Sequence, residues 1–375
     1  LQSQQTNGGS SDAGSQKGLW TGLAALLVLL LAGVGGYFLF AKKDSPANVV
    51  KKMFAAMAKV DRMTSSVDLA MKFQVPVANR TQLQQAYPFL QVPPEGGVME
   101  VALQVKASGK ADESKEGDEQ SEGTTEFNVT MSGVSMKANL TTRAKGDVIY
   151  LRLDEVPVIL DALGLSSLRG QWIKIDAKEF LKLLTASGKS MVNPEDQYKK
   201  SKDLMKAVTK TSVTLLDKHP ILVVQDSLPN ATLDGVSTYH YKFGIDQVHY
   251  RALMKEWFEE VLREQAKATD QSAVATDSAI AEMKKELFPK IDEFSIKGTG
   301  ELWIGRKDNL LYKVTFTPED VSVTEEGMTV KIGGSFEFTG KDYGKSFTVE
   351  VPSEAMPIEQ ILGPLFQSLG PAGGF

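Results

Sequence analysis

Residues Leu19 to Phe40 read LWTGLAALLVLLLAGVGGYFLF, with no charged side chain and no proline. At a rise of about 1.5 Å per residue the run makes roughly 33 Å of helix, enough to cross a hydrocarbon core of about 30 Å. Leu19, Leu26, Leu30 and Phe40 are part of its apolar surface. Trp20 stands at one end and Tyr37, with Lys42 and Lys43, at the other, where amphipathic rings and snorkelling ammonium groups meet the headgroups. A core helix of this length would show a polar face, and a signal-peptide apolar region is shorter and ends at a small-residue cleavage site, which Gly33, Gly35 and Gly36 could mimic. The expectation is one transmembrane helix over 19–41.

The 375 residues are 42% hydrophobic and 24% charged, so the part after the run has a globular composition large enough for one large domain or two small ones. The net charge is −5, and no Lys/Arg stripe with interleaved aromatics appears, which argues against nucleic acid as a partner. With no cysteine there is no disulfide, no thiolate metal site, no cysteine nucleophile and no cysteine lipid attachment.

Sidedness is contested within the sequence. Lys17 precedes the run and Lys42, Lys43, Lys51 and Lys52 follow it, so a literal positive-inside count places the domain in the cytoplasm. The chain starts at Leu1 rather than methionine, so basic residues can lie upstream. N-x-S/T triplets at Asn79, Asn128, Asn139 and Asn230 would fit an exported face, or are simply Thr-rich strand ends. The expectation adopted is a cell-membrane protein with an extracytoplasmic C-terminal domain.

Residues 1–18 are Gln, Ser, Gly and Asn with almost no apolar side chain, and read as a disordered tail. Ser45-Pro46 reads as N-cap and first helical position, and Val49, Val50, Met53, Phe54, Met57 and Val60 give the helix one apolar stripe. Ser66 to Val75 and Val98 to Ala107 alternate as strands on either side of a Pro-bearing excursion. Residues 109–123, GKADESKEGDEQSEG, read as a mobile acidic loop at a hairpin tip, without the spacing of a calcium loop.

A meander follows over Glu126–Met131, Ser135–Arg143 and Asp147–Leu153. Next come a short helix at Val156–Leu165, a strand at Gln171–Ile175, a helix capped by Asp176, and another from Pro194 to Thr211. Strands at Ile221–Val224 and Ser237–Ile245 precede a long helix capped by Asp246. A polar break over 268–278 leads to a helix at Ala279–Lys290. Four β segments, ending with Ser346–Val351, and a short helix from Pro357 to Leu369 complete the series. No consecutive parallel βαβ units appear, so the expected class is α+β with a large antiparallel sheet and helices on one face.

Signatures of chemistry are weak. Gly340 to Ser346 is one residue short of a phosphate loop and sits at a β-turn. Gly133-Val-Ser135 and Gly235-Val-Ser237 lack the second glycine of a nucleophile elbow. Of three histidines, His240 and His249 with Asp246 form a conceivable metal set, against surface polar residues. Glu259 and Glu260 read as solvated charge. No catalytic residue, metal or cofactor is assigned. What remains is apolar surface: Phe73, Trp172, Tyr241, Phe243, Trp257 and Trp303 are candidate lining residues of a cavity, with ordinary core filling as the alternative.

The order SPANVVKKMFAAMAKVDRMTS, GDVIYLRLDEVP with GQWIKID, DGVSTYHYKFGID, GTGELWIGRKDNLLYKVTF and FTGKDYGKSFTVEVPSEAMP resembles the bacterial lipoprotein-carrier superfamily of the LolA and LppX type. The resemblance spans roughly Ser45 to Leu362, within an expected domain over 45–369. It implies a strongly bent antiparallel sheet, an unclosed half-barrel with helices on its concave face and an apolar cavity for acyl chains. A protein span in place of a lipidated cysteine favours a fixed receiver, presenter or sensor over a shuttle. The expected function is a non-catalytic, membrane-anchored lipid- or lipoprotein-binding protein. Its partners would be the lipid bilayer and a lipid or lipoprotein ligand. The alternative is an envelope sensory or protein-interaction module with a solid core.

Overall fold

The computed structural model describes residues 45–77, 80–86, 91–115, 117–157, 165–179, 194–268, 272–325 and 328–361. The expected tail and membrane run lie outside them, as do most of the helices expected at 156–165, after Asp176 and after Pro357. Among the described residues no helix is long and apolar enough to cross a membrane.

Helix α1 (Pro46–Met57) opens at Ser45, whose hydroxyl accepts from the Asn48 amide, and buries Val49, Val50, Met53 and Phe54, the stripe expected from the spacing. Strand β1 (Arg62–Pro76) follows, then α2 (Arg80–Ala86), β2 (Val98–Asp112), β3 (Gln120–Met131), β4 (Val134–Lys145), β5 (Val148–Glu155) and β6 (Trp172–Asp176). Helix α3 (Pro194–Lys218), β7 (Leu222–Leu233), β8 (Val236–Ile245), α4 (Gln247–Ala268) and α5 (Ala273–Glu293) come next. Strands β9 (Gly298–Gly305), β10 (Leu311–Pro318), β11 (Val321–Glu325), β12 (Met328–Lys341) and β13 (Met356–Pro357) close the series.

The strands form one sheet in the order β13-β6-β5-β4-β3-β2-β1-β12-β10-β9-β8-β7, with β11 beside β12. Pairing is antiparallel except where β13 meets β6, so the sheet is mixed and the class is α+β. Ser132-Gly133 and Asp234-Gly235, all at positive φ, make the two-residue turns of β3–β4 and β7–β8, whose twist matches that of the strands.

Register defines two unlike faces. Tyr241, Leu302, Val314, Phe338, Val67, Ala107, Thr125, Leu140 and Leu153 are successive partners in a row running from β8 to β5. Side chains alternate along each strand, so their neighbours two residues away share this face. Helices α1, α3, α4 and α5 pack on it over one half of the sheet. Met53, Leu216, Leu253 and Ile291 are buried there with Leu69, Phe243, Leu302, Ile304, Leu311 and Phe336. The opposite face carries polar cross-strand pairs: Ser66–Thr339 at 2.6 Å, Gln104–Asp68 at 3.2 Å and Lys313–Glu337 at 3.0 Å.

Several boundaries differ from the sequence expectation. The acidic stretch 109–123 is ladder at both ends: Gly109 to Asp112 extend β2 and Gln120 to Gly123 extend β3, and the connection is confined to 113–119. Polar composition there reflects a solvated strand face, and Asp112 is tied down by Arg62 at 3.0 Å and Ser114 at 2.6 Å. Strand β7 runs on to Leu233, and α5 begins at Ala273 with Ser272 as its cap. Ser346–Val351 is not a strand. Gln120 donates to the Phe347 carbonyl at 2.7 Å and accepts from the Val349 amide at 3.0 Å, and Arg143 donates to the Glu350 carbonyl at 2.7 Å. Side chains thus take over the backbone bonds that a ladder would have supplied.

Candidate functional site

Among the described residues, helices fully cover the helix-bearing face over one half only. On β3, β4 and β5 the alternation puts Phe127, Val129, Met136, Leu140, Leu151 and Leu153 on that face. None is buried by the described residues, and Phe127 is 39% and Ile149 43% exposed. At one end of this strip Val77 and Val92 pack on Met99, Met131 and Val134, and along one side Leu103 and Val105 join the main core. Between them lies a largely apolar surface of aliphatic, Met and Phe side chains, interrupted by Thr125 and Thr142. It offers dispersion contact and dehydration but no titratable group on its own rows.

Helix α3 links this strip to the packed half. Its C-terminal part is anchored: Leu215 and Leu216 are buried, and Glu256 of α4 lies 2.5 Å from Lys218 and 2.7 Å from His219. Its N-terminal part reaches the turns that end β3 to β5, where Lys202 lies 3.5 Å from Glu119 and 3.9 Å from Asp147. Asp147 is also 3.5 Å from Lys178. The Glu119 carboxyl is held below the ordinary carboxylate range, first by its own backbone amide and then, against the effect of burial, by the Lys202 ammonium and the Gly117 amide.

The six residues expected to line a cavity divide between the two faces. Phe73 packs against the main core from β1, while Tyr241, Phe243 and Trp257 are buried within it. The Trp257 indole donates to Ser212 Oγ at 2.9 Å. Burial pushes the Tyr241 hydroxyl up to about 12. Trp172 and Trp303 lie on the opposite, polar face, and this corrects their assignment to the lining. Trp172 pairs with Arg152 and has the Arg152 and Arg143 guanidinium groups 4.8 and 5.2 Å from its ring centre. Trp303 stacks on His240 at 4.4 Å, with Lys313 5.5 Å from its ring.

The physical reason is parity. Ile173 and Ile175 face inward from β6, and Leu302 and Ile304 from β9, which turns each tryptophan outward. The charged residues two positions away, Lys174 and Glu301, are the sequence signal that marks this face. The anchor residues Leu19, Trp20, Leu26, Leu30, Tyr37 and Phe40 lie outside the described residues.

The histidines expected to form a metal set lie in different ion pairs. His240 is 2.8 Å from Glu301 on the polar face, and His249 is 2.9 Å from Asp246, which caps α4 by accepting from the Val248 and His249 amides. The set His240, His249 and Asp246 is therefore not brought together. Among the described residues no group of three His, Asp or Glu is arranged to hold a metal ion.

No family model and no curated protein matches the chain. Among solved structures it is similar to LprF from Mycobacterium bovis, with a TM-score of 0.35 and 9% identity over 82% of this chain and 96% of that one. It is also similar to the Mycobacterium tuberculosis lipoprotein LppX, with a TM-score of 0.31 and 10% identity over 82% of this chain and 100% of that one. At such scores the superposition is loose, and the site rests on its own residues.

Proposed function

We propose that this protein holds a lipid or lipidated ligand, without chemistry, on the open half of the helix-bearing face. The observation that carries the reading is the strip Phe127, Val129, Met136, Leu140, Leu151 and Leu153, a run of large apolar side chains left partly exposed on the side of the sheet that elsewhere forms the core. A sheet of this many strands curls rather than staying flat. Bending toward the helices makes a half-barrel whose open half is an apolar trough. Burial of acyl chain contributes about 0.8 kcal/mol per methylene, so affinity needs no charged group.

In the same reading Leu19 to Phe40 anchors the chain in a membrane and the domain 45–369 is extracytoplasmic. The competing reading, an interaction module with a solid core, draws on Tyr241, Phe243 and Trp257, which are packed rather than exposed.

Native mass spectrometry of the full chain, released from detergent after extraction from lipid-containing membranes, tests the proposal. Copurified lipid that is lost on substitution of Val129 or Leu151 by Asp is the expected result. A bare protein, even after addition of lipid, overturns it.

A further inference from the structure

Phe40, the last residue of the apolar run, is separated from Ser45 by only Ala41 to Asp44. Five Cα steps of at most about 3.6 Å leave Ser45 no more than about 18 Å from the end of that run. The fold fixes which part of the domain lies there. Helix α1 and β1 are joined by Ala58 to Asp61, so Met57 and Arg62 share one end, and the Met57 sulfur lies 3.4 Å from the Leu311 amide at the start of β10.

The antiparallel steps from β1 through β12, β10 and β9 to β8 make β1, β10 and β8 run in the same direction. Strand β8 therefore ends at the opposite pole, where Ile245 pairs with Leu222 at the start of β7 and leads directly into α4. Helix α1 packs on β7 and β9, and because Met57 sits at the end where β10 starts, its first turn lies away from that end.

We infer that the pole formed by the starts of β7 and α4 rests on the surface of the bilayer into which Leu19 to Phe40 inserts. The inference depends on the reading of that run as a membrane span. Two apolar side chains stand out from this pole, Val248 at 75% and Val223 at 46% exposure. Its exposed charges are mixed, Lys218 and Lys297 with Asp292, Glu293, Glu319 and Asp320, so the tether rather than charge attraction holds it to the membrane. The tip where α5 begins points the other way. Helix α4 leads about 33 Å from the pole before α5 turns back, and Val274 at that tip is 80% exposed.

The sequence contains no cysteine, so V248C, V223C and V274C each carry a single fluorophore in the full chain, at exposed positions that tolerate substitution. The probe is a phosphatidylcholine and phosphatidylglycerol vesicle containing headgroup nitroxide lipid. Quenching several-fold stronger at positions 248 and 223 than at 274 is expected, and it should persist at about 0.5 M salt, where screening has shrunk to a few Å. Equal quenching at the three positions, or stronger quenching at 274, overturns the assignment of the pole. A chain that does not float with the vesicles overturns the membrane span on which the inference depends. Flotation without preferential quenching at positions 248 and 223 overturns the pole alone.

Discussion

The Trp257 indole nitrogen donates to Ser212 Oγ across the α3–α4 contact, and Ser212 in turn donates to the Val208 carbonyl at 2.8 Å. Both residues are buried, so the hydroxyl satisfies a polar group inside an otherwise apolar contact. Ser212→Ala leaves that indole N–H without its partner and is expected to cost about 1–3 kcal/mol. The denaturant midpoint should fall at unchanged slope, and an unchanged midpoint would show that the bond contributes nothing.

Lys202 ties the N-terminal part of α3 to Glu119 and Asp147 through partly exposed pairs, an arrangement worth at most about 1 kcal/mol. Lys202→Met should therefore leave the global unfolding midpoint almost unmoved. Hydrogen exchange is the discriminating measurement. Amides of α3 before about residue 205 should exchange faster, and those around Leu215 and Leu216 should not.

Asp112 is held at about 2, below its ordinary 3.8, first by the Ser114 hydroxyl and then by the Ser114 amide and Arg62, against the effect of burial. Its folded value is depressed, so its stabilising contribution is present above about pH 4 and is lost as pH falls toward 2. Thermal midpoints of the wild type and Asp112→Asn should differ at neutral pH and converge across that window. A constant difference down to pH 2 would contradict the assignment.

Tyr241 titrates in the other direction. Burial raises its hydroxyl to about 12 from an ordinary 10, so the neutral form is favoured in the folded state. The stability it contributes is present below pH 10 and is lost as pH rises from 10 to 12. Tyr241→Phe should flatten the fall in stability over that range, measured by unfolding at a series of alkaline pH values.

Gly300 lies where β9 passes under Phe243. A methyl group there would run into the Phe243 ring and the Thr315 carbonyl oxygen. Gly300→Ala is expected to destabilise by about 1–3 kcal/mol, the range for overpacked cores. Phe243→Leu in the same chain should recover part of the loss if the ring is the obstacle.

The acidic stretch shows where composition misleads. GKADESKEGDEQSEG looks like a solvated loop because nearly every side chain is polar, yet Asp112 pairs with Gln120 and Gly109 with Gly123 in a regular ladder. Strand pairing uses backbone groups, and a strand with a solvent-facing side does not need apolar residues there.

Local sequence determined what depends on near neighbours: the α1 stripe with its Ser45 cap, the Asp246 cap of α4, the alternation within each strand and the two-residue turns. These follow from spacings of two, three and four residues, which the chain carries wherever it folds. Tertiary structure alone decided which alternating set turned toward the helices. It placed Trp172 and Trp303 on the polar face, enclosed Tyr241, Phe243 and Trp257, and left Phe127, Val129, Met136, Leu140, Leu151 and Leu153 partly open. A one-residue change of register exchanges the faces of a strand, and whether an apolar face is filled depends on helices distant in sequence. Neither is encoded in the strand itself.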